Sequence, residues 1–233
     1  MKNKKVITLV AVVSVMGALA IGGTLAWLTS TPDEVVNTFN ISTVGGNIDE
    51  DDNTSDDDED RTQENEYDMV PGKSEMKDPT VHMNAKETTI PVYVVIEVEE
   101  EIKAGLNFAD YIEYNVDADA KGVWKQIDRT DYEPVTPSTY KAGVYYCEYD
   151  PTSGDVDLDI LEHIDLGGGV FDQGITYADG ITNDMMKEFI KTTNADGTIE
   201  VEGLPKLTFT AHVIQKEGFN TVKEALEANP GLL

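Results

Sequence analysis

Three histidines, His82, His163 and His212, are the side chains of this sequence best suited to hold a metal or to move a proton near neutral pH. They stand far apart, with no H-E-x-x-H helix and no close pair among them. In Leu161-Glu162-His163-Ile164-Asp165 the acid precedes the histidine, the reverse of the order a zinc helix needs. A polar position on a strand is the expected setting of each. Asp155-Val156-Asp157-Leu158-Asp159 offers the alternate carboxylates of a calcium loop, but Ile160 and Leu166 stand where that loop needs a glycine and a bidentate glutamate. Alternation along a strand explains it better. Gly167-Gly168-Gly169 lacks the following helix and lysine of a phosphate loop and reads as a turn. Cys147 lies beside Glu148, which raises a thiol pKa, so a buried spectator is expected. No G-x-S-x-G elbow occurs. Acidic groups such as Glu99-Glu100-Glu101 are too abundant to single out a general acid or base. No catalytic residue, cofactor-binding residue or metal ligand is assigned, and the chain is not expected to be an enzyme.

Composition points the same way. The 233 residues carry 17 Lys+Arg against 45 Asp+Glu, a formal net charge of −28. Such a surface repels a phosphate backbone and an anionic lipid leaflet alike, so no nucleic-acid partner is expected. Proteins, cations or copies of the same chain are the partners left. With one cysteine, neither an internal disulfide nor a zinc-thiolate cluster is available, and packing must hold the fold. One domain is expected.

Residues 1–26 read as a secretory signal peptide: Lys2, Lys4 and Lys5, the apolar run Val6 to Ile21, then Gly22-Gly23-Thr24-Leu25-Ala26. Cleavage is expected between Ala26 and Trp27, with a permanent anchor as the alternative. Residues 27–44 follow as an N-terminal strand segment, in which Val35, Phe39 and Ile41 share one side of an extended chain. Residues 45–66 are expected to be a disordered acidic loop, because Asp49 to Asp60 holds nine acids and no apolar side chain. Weak, non-specific binding of divalent cations is the only cofactor chemistry this loop suggests.

Residues 67–233 should form the folded domain. Val70-Pro71-Gly72-Lys73 is a turn, and Ile90 to Ile102 is the strongest strand, with Val92, Val94, Ile96 and Val98 facing one way. Further strands are expected over 122–128, 143–149, 155–161, 198–201 and 206–215. Short helices are expected over Asn183 to Lys191 and Thr221 to Ala228, the second opened by a Thr221–Glu224 capping box. Many short strands and few helices describe a mainly β protein, a β-sandwich.

Gly22-Gly23-Thr24-Leu25-Ala26-Trp27 and, after it, Asn37-Thr38-Phe39-Asn40-Ile41 resemble the TasA/camelysin family of Gram-positive bacteria, whose leaders are cut by the dedicated signal peptidase SipW. The chain departs from the family's N-x-F-x-x-G segment at Ser42-Thr43, with Gly45-Gly46 just beyond. Val70-Pro71-Gly72, Lys77-Asp78-Pro79 and the close Ala211-His212-Val213-Ile214-Gln215 with Glu217-Gly218-Phe219 are also similar. The resemblance implies a jelly-roll-like β-sandwich secreted to the extracellular matrix or cell surface, where it builds biofilm-matrix fibres. It implies that the N-terminal strand of one subunit completes the sheet of the next, with Trp27, Leu28, Val35, Val36, Phe39 and Ile41 as donor side chains. The alternative is that Val35 to Val44 pairs within its own subunit. Implied partners are copies of the chain, homologous fibre subunits and the signal peptidase, with membrane contact only through an uncleaved leader. An accessory or minor surface subunit or binding module is the alternative function, and a camelysin-type metallopeptidase a further one. Leu204-Pro205-Lys206-Leu207-Thr208 is internal and lacks the glycine of a sortase signal.

Overall fold

The structure, a computed structural model, describes residues 46–51, 61–63, 65, 67–118, 122–193 and 199–233. The expected signal peptide, its expected Ala26–Trp27 cleavage point and the expected donor residues Trp27, Leu28, Val35, Val36, Phe39 and Ile41 lie outside the described residues. In chain order the strands are β1 (Gly46–Asp51), β2 (Arg61–Thr62), β3 (Ser74–Met76), β4 (Thr80–Met83), β5 (Val92–Glu101), β6 (Ile112–Glu113) and β7 (Lys125–Ile127). They continue with β8 (Gly143–Tyr149), β9 (Val156–Asp159), β10 (His163–Gly167) and β11 (Val170–Tyr177). Helix α1 (Asn183–Lys187), β12 (Ile190–Thr193), β13 (Ile199–Val201), β14 (Lys206–Gln215) and α2 (Val222–Ala228) complete the chain.

The fold is mainly β, its strand pairings are all antiparallel, and it is consistent with a β-sandwich. One sheet runs β14-β5-β8-β7, a second β2-β1-β4-β9, and a third β10-β11-β3 with β6 on β11. β5 anchors the first. Its ladder with β14 runs unbroken from Lys206↔Glu101 to Gln215↔Val92, and its other side pairs with β8 from Val92↔Tyr149 to Val98↔Gly143. Val92, Val94, Ile96 and Val98 enter the main core with Ile48, Val81, Leu158, Ile175 and Phe209 from the other sheets and β14. Tyr93 and Val95 face the opposite way, under Val222, Ala225 and Leu226 of α2. Both faces of this sheet are therefore buried, which is why β5 opens as an almost uninterrupted apolar run. α2 is fixed at its start as expected: Thr221 accepts from the Glu224 amide at 3.2 Å, while the Glu224 carboxylate accepts from the Asn220 amide at 2.7 Å.

The expected strands over 143–149 and 206–215 coincide with β8 and β14, and those over 122–128, 155–161 and 198–201 contain β7, β9 and β13. Two expectations are corrected. The acidic stretch 45–66 is not wholly a loop, since Gly46–Asp51 and Arg61–Thr62 are paired strands, β1 lying between β2 and β4. The folded domain therefore includes residues ahead of 67. The helix expected over Asn183 to Lys191 stops at Lys187, because Phe189 drops fully into the core and Ile190 opens a strand against Val201. Gly72 adopts φ +70° in the expected turn, closed by the Lys73 amide on the Val70 carbonyl at 3.0 Å. A Cβ there would sit 2.3 Å from Asp179 Oδ1, so glycine is required.

Candidate assembly site

Among the described residues β14 is an edge strand: β5 pairs with one side of it and no strand pairs with the other. Its inward side chains, Leu207, Phe209, Ala211 and Val213, are buried, so its register and position are fixed by the core. An edge held in this way presents main-chain donors and acceptors to any extended segment that aligns with it. The chain enters β1 close by: a Cβ on Gly46 would lie 3.7 Å from Val213 Cγ2, near the end of β14. At the beginning of β14 a cavity of about 720 Å³ opens, lined by Lys206 and Leu207 together with Tyr67, Ile112, Ile175 and Tyr177 among others. The Tyr177 hydroxyl is buried and has no hydrogen-bond partner among the described residues.

Beside this edge, β1 is held by charge. Ile48 and Glu50 point inward while Asp49 and Asp51 lie half-buried on the other face, as a period of two dictates. Each acid meets a cation from another segment. Lys77 donates to Glu50 at 2.8 Å, both side chains being almost fully buried, and its ammonium lies 5.0 Å from the Tyr67 ring and 5.7 Å from the Phe209 ring. Arg61 reaches Asp49 and Asp51 at 2.6 Å and Asp78 at 2.7 Å, which ties β2 to β1 and to the entry of β4. Burial pushes the Asp78 carboxyl above the usual carboxylate value despite that arginine.

His82 on β4 bridges its two neighbours, with Nε2 2.9 Å from Asp49 Oδ1 on β1 and Nδ1 2.6 Å from Asp157 Oδ1 on β9. Carboxylates only accept, so both contacts are hydrogen bonds only when the ring is protonated at both nitrogens. The Asp49 bond raises the His82 pKa above its ordinary 6.5, against burial and with help from Asp157. Burial would raise the Asp49 carboxyl, but the hydrogen bonds from His82 and Arg61 outweigh it and hold it below the ordinary value. A raised histidine pKa stabilises the fold fully below about pH 6.5 and loses that contribution as pH rises through the folded-state value. Thermal melts at pH 5.5 and 8.5 should therefore differ by about 2 °C more in the wild type than in His82→Gln, a surface-pair effect of about 0.5–1 kcal/mol. Equal pH dependence in the two proteins would show that the bridge contributes nothing.

The remaining candidate chemical groups are dispersed. His163 on β10 contacts Asp159 at 3.0 Å, and His212 lies buried in β14 with its pKa pushed down to about 4 by burial. His82 and His163 thus occupy polar strand positions as expected, whereas His212 is a core residue. Cys147 on β8 is buried and its thiol is pushed up to about 12, mainly by burial and also by Glu148. No group of three or more His, Cys, Asp or Glu placed to hold a metal occurs among the described residues, and none of their helices is long and apolar enough to cross a membrane. No protein-family model matches the chain, and no curated protein or solved structure matches it. The ion network on β1 escaped the sequence reading, because Arg61, Lys77 and His82 lie 10 to 33 positions from their partners in the sequence; the signal available was the lone Ile48 between polar residues.

Proposed function

We propose that this chain is an exported, acidic surface-fibre subunit that assembles by β-augmentation, the segment Val35 to Val44 of one copy lying along the open edge of β14 in the next. The observation that carries the reading is that edge, ten residues long, fixed by the core on one side and without a strand on the other among the described residues. Main-chain hydrogen bonds supply the affinity of such a contact, and the alternating Val35, Phe39 and Ile41 supply the register. Head-to-tail addition does not close on itself, so it yields filaments. The jelly-roll topology, the Ala26–Trp27 cleavage and delivery to the cell surface of a Gram-positive bacterium belong to the same reading, supported by the resemblance of the leader and the C-terminal segment to TasA/camelysin proteins. A second reading, an accessory or minor surface subunit, is favoured by the 45 acids against 17 bases, since subunits of one strong charge sign resist packing.

Negative-stain electron microscopy decides between them, comparing a chain beginning at Trp27 with one beginning at Gly45, both first checked for a cooperative melt. Filaments from the longer chain and none from the shorter are expected. Filaments from both would remove the N-terminal strand from the contact. Monomers from both, in salt high enough to screen the charge, would favour the accessory role.

A further inference from the structure

We infer that a second contact joins copies of this chain: the apolar tip of the β10–β11 hairpin of one copy seats in the cavity at the beginning of β14 of another. This rests on the reading that copies associate head to tail, but it uses none of the N-terminal segment. From His163 to Phe171 no residue of the hairpin is buried. Gly167, Gly168 and Gly169 all take positive φ, at 88°, 65° and 92°, so the turn has no side chains of its own. Directly after it stand Val170, 52 % exposed, and Phe171, 68 % exposed, two consecutive large apolar residues on opposite faces of a ribbon that here, among the described residues, pairs only with itself, the Phe171 ring 6.1 Å from that of His163. Paired exposure of this kind marks an interaction site, and an aromatic side chain is the usual anchor of one.

The cavity has the complementary properties. Its volume of about 720 Å³ accepts an aromatic ring with its neighbour, its walls include Ile112, Ile175 and Leu207, and Leu204 at 41 % exposure adds a second unsatisfied apolar surface. Its charge suits the same partner. In a chain with far more acids than bases, the lining is close to neutral, holding Lys206 against Asp68, while Lys77 is already bound to the buried Glu50. The hairpin carries Asp165 and Asp172 on either side of its tip. An acidic collar around an apolar plug thus meets a socket in which Lys206 is its cation.

Plug and socket belong to one strand. Val170 and Phe171 open β11, and Ile175 and Tyr177 at its other end line the cavity, about 13–23 Å away at the rise of an extended chain. A chain cannot fill its own socket across that distance along a paired strand. Two different surfaces meeting in this way form a heterologous contact that repeats along a line.

Disulfide trapping tests the contact directly. The full exported chain carrying Phe171→Cys is mixed with the full chain carrying Leu204→Cys and oxidised; the buried Cys147 stays out of reach. A mixed disulfide at least tenfold above either homodimer is expected, and Phe171→Ser should cut end-to-end association in sedimentation at least tenfold. Crosslinks in the statistical ratio of random collision, or none, would overturn the inference. Filaments that persist in Phe171→Ser would overturn this contact while leaving the N-terminal strand reading intact. A strong mixed disulfide from chains that still assemble without residues 27–44 would uphold this contact and remove the other.

Discussion

Lys77→Met should lower the melting temperature by about 10 °C, the expected result of stranding Glu50 in the core at a cost of about 3–5 kcal/mol. Glu50 is 2 % exposed and Lys77 6 %, and among the described residues the other donor to that carboxylate is the Tyr67 hydroxyl, at a long 3.4 Å. Glu50 Oε1 already has no hydrogen-bond partner among the described residues, so none of them is in place to take over when the ammonium is removed. Glu50→Gln on the Lys77→Met background should recover most of the loss, because a neutral pair carries no uncompensated charge. Thermal melts of the wild type and the two variants check both statements. A single variant within about 2 °C of the wild type would show that the pair is solvated and the burial of β1 incomplete.

Trp124→Ala is the second large effect, with a loss of about 3–5 kcal/mol expected from truncation of a fully buried indole. Trp124 sits just ahead of β7, is 1 % exposed, and donates its Nε1–H to the Asp159 carbonyl at the end of β9 at 2.7 Å. It therefore joins the β14-β5-β8-β7 sheet to the sheet that ends at β9 by packing and by a directed bond. Trp124→Phe separates the two contributions: the ring still fills much of the space while the carbonyl loses its donor, so a smaller loss of about 1–3 kcal/mol is expected. Urea denaturation measures both, and similar losses from the two variants would assign the role of this residue to its hydrogen bond alone.

The parts of the fold legible in the sequence are those that the core alone decides. β5, β8 and β14 are long, apolar on one or both faces and bounded by turns, so their periodicity survives any reading. β1 is different. Its inward face offers only Ile48 and the charged Glu50, and it becomes a strand because Arg61, Lys77 and His82 neutralise three successive acids from outside it. Local composition cannot contain such information, since the cations lie 10 to 33 positions along the chain from the acids they meet. β11 was hidden for a related reason: Gln173 and Gly174 interrupt its apolar pattern, yet Gln173 is buried because its side-chain oxygen accepts from the amides of Ile160 and Leu161 at 2.9 and 2.8 Å. The short α1 shows tertiary packing overriding a helical pattern, with Phe189 and Ile190 claimed by the core and by β13. Of the candidate assembly site, β14 was legible as a strand but not as one with a side left unpaired among the described residues, because pairing order is a property of the whole topology.

The single cysteine turns the molecule into its own reporter of opening. Cys147 stands in β8, the inner neighbour of β5, with its sulfur sealed between sheet and core and its ionisation suppressed. A thiol reagent can reach it only when the central sheet parts, so the rate of labelling under native conditions counts how often a subunit breathes. Compared between free chains and chains in an assembly, that count measures, without any engineered probe, how much each neighbour steadies the sheet it touches.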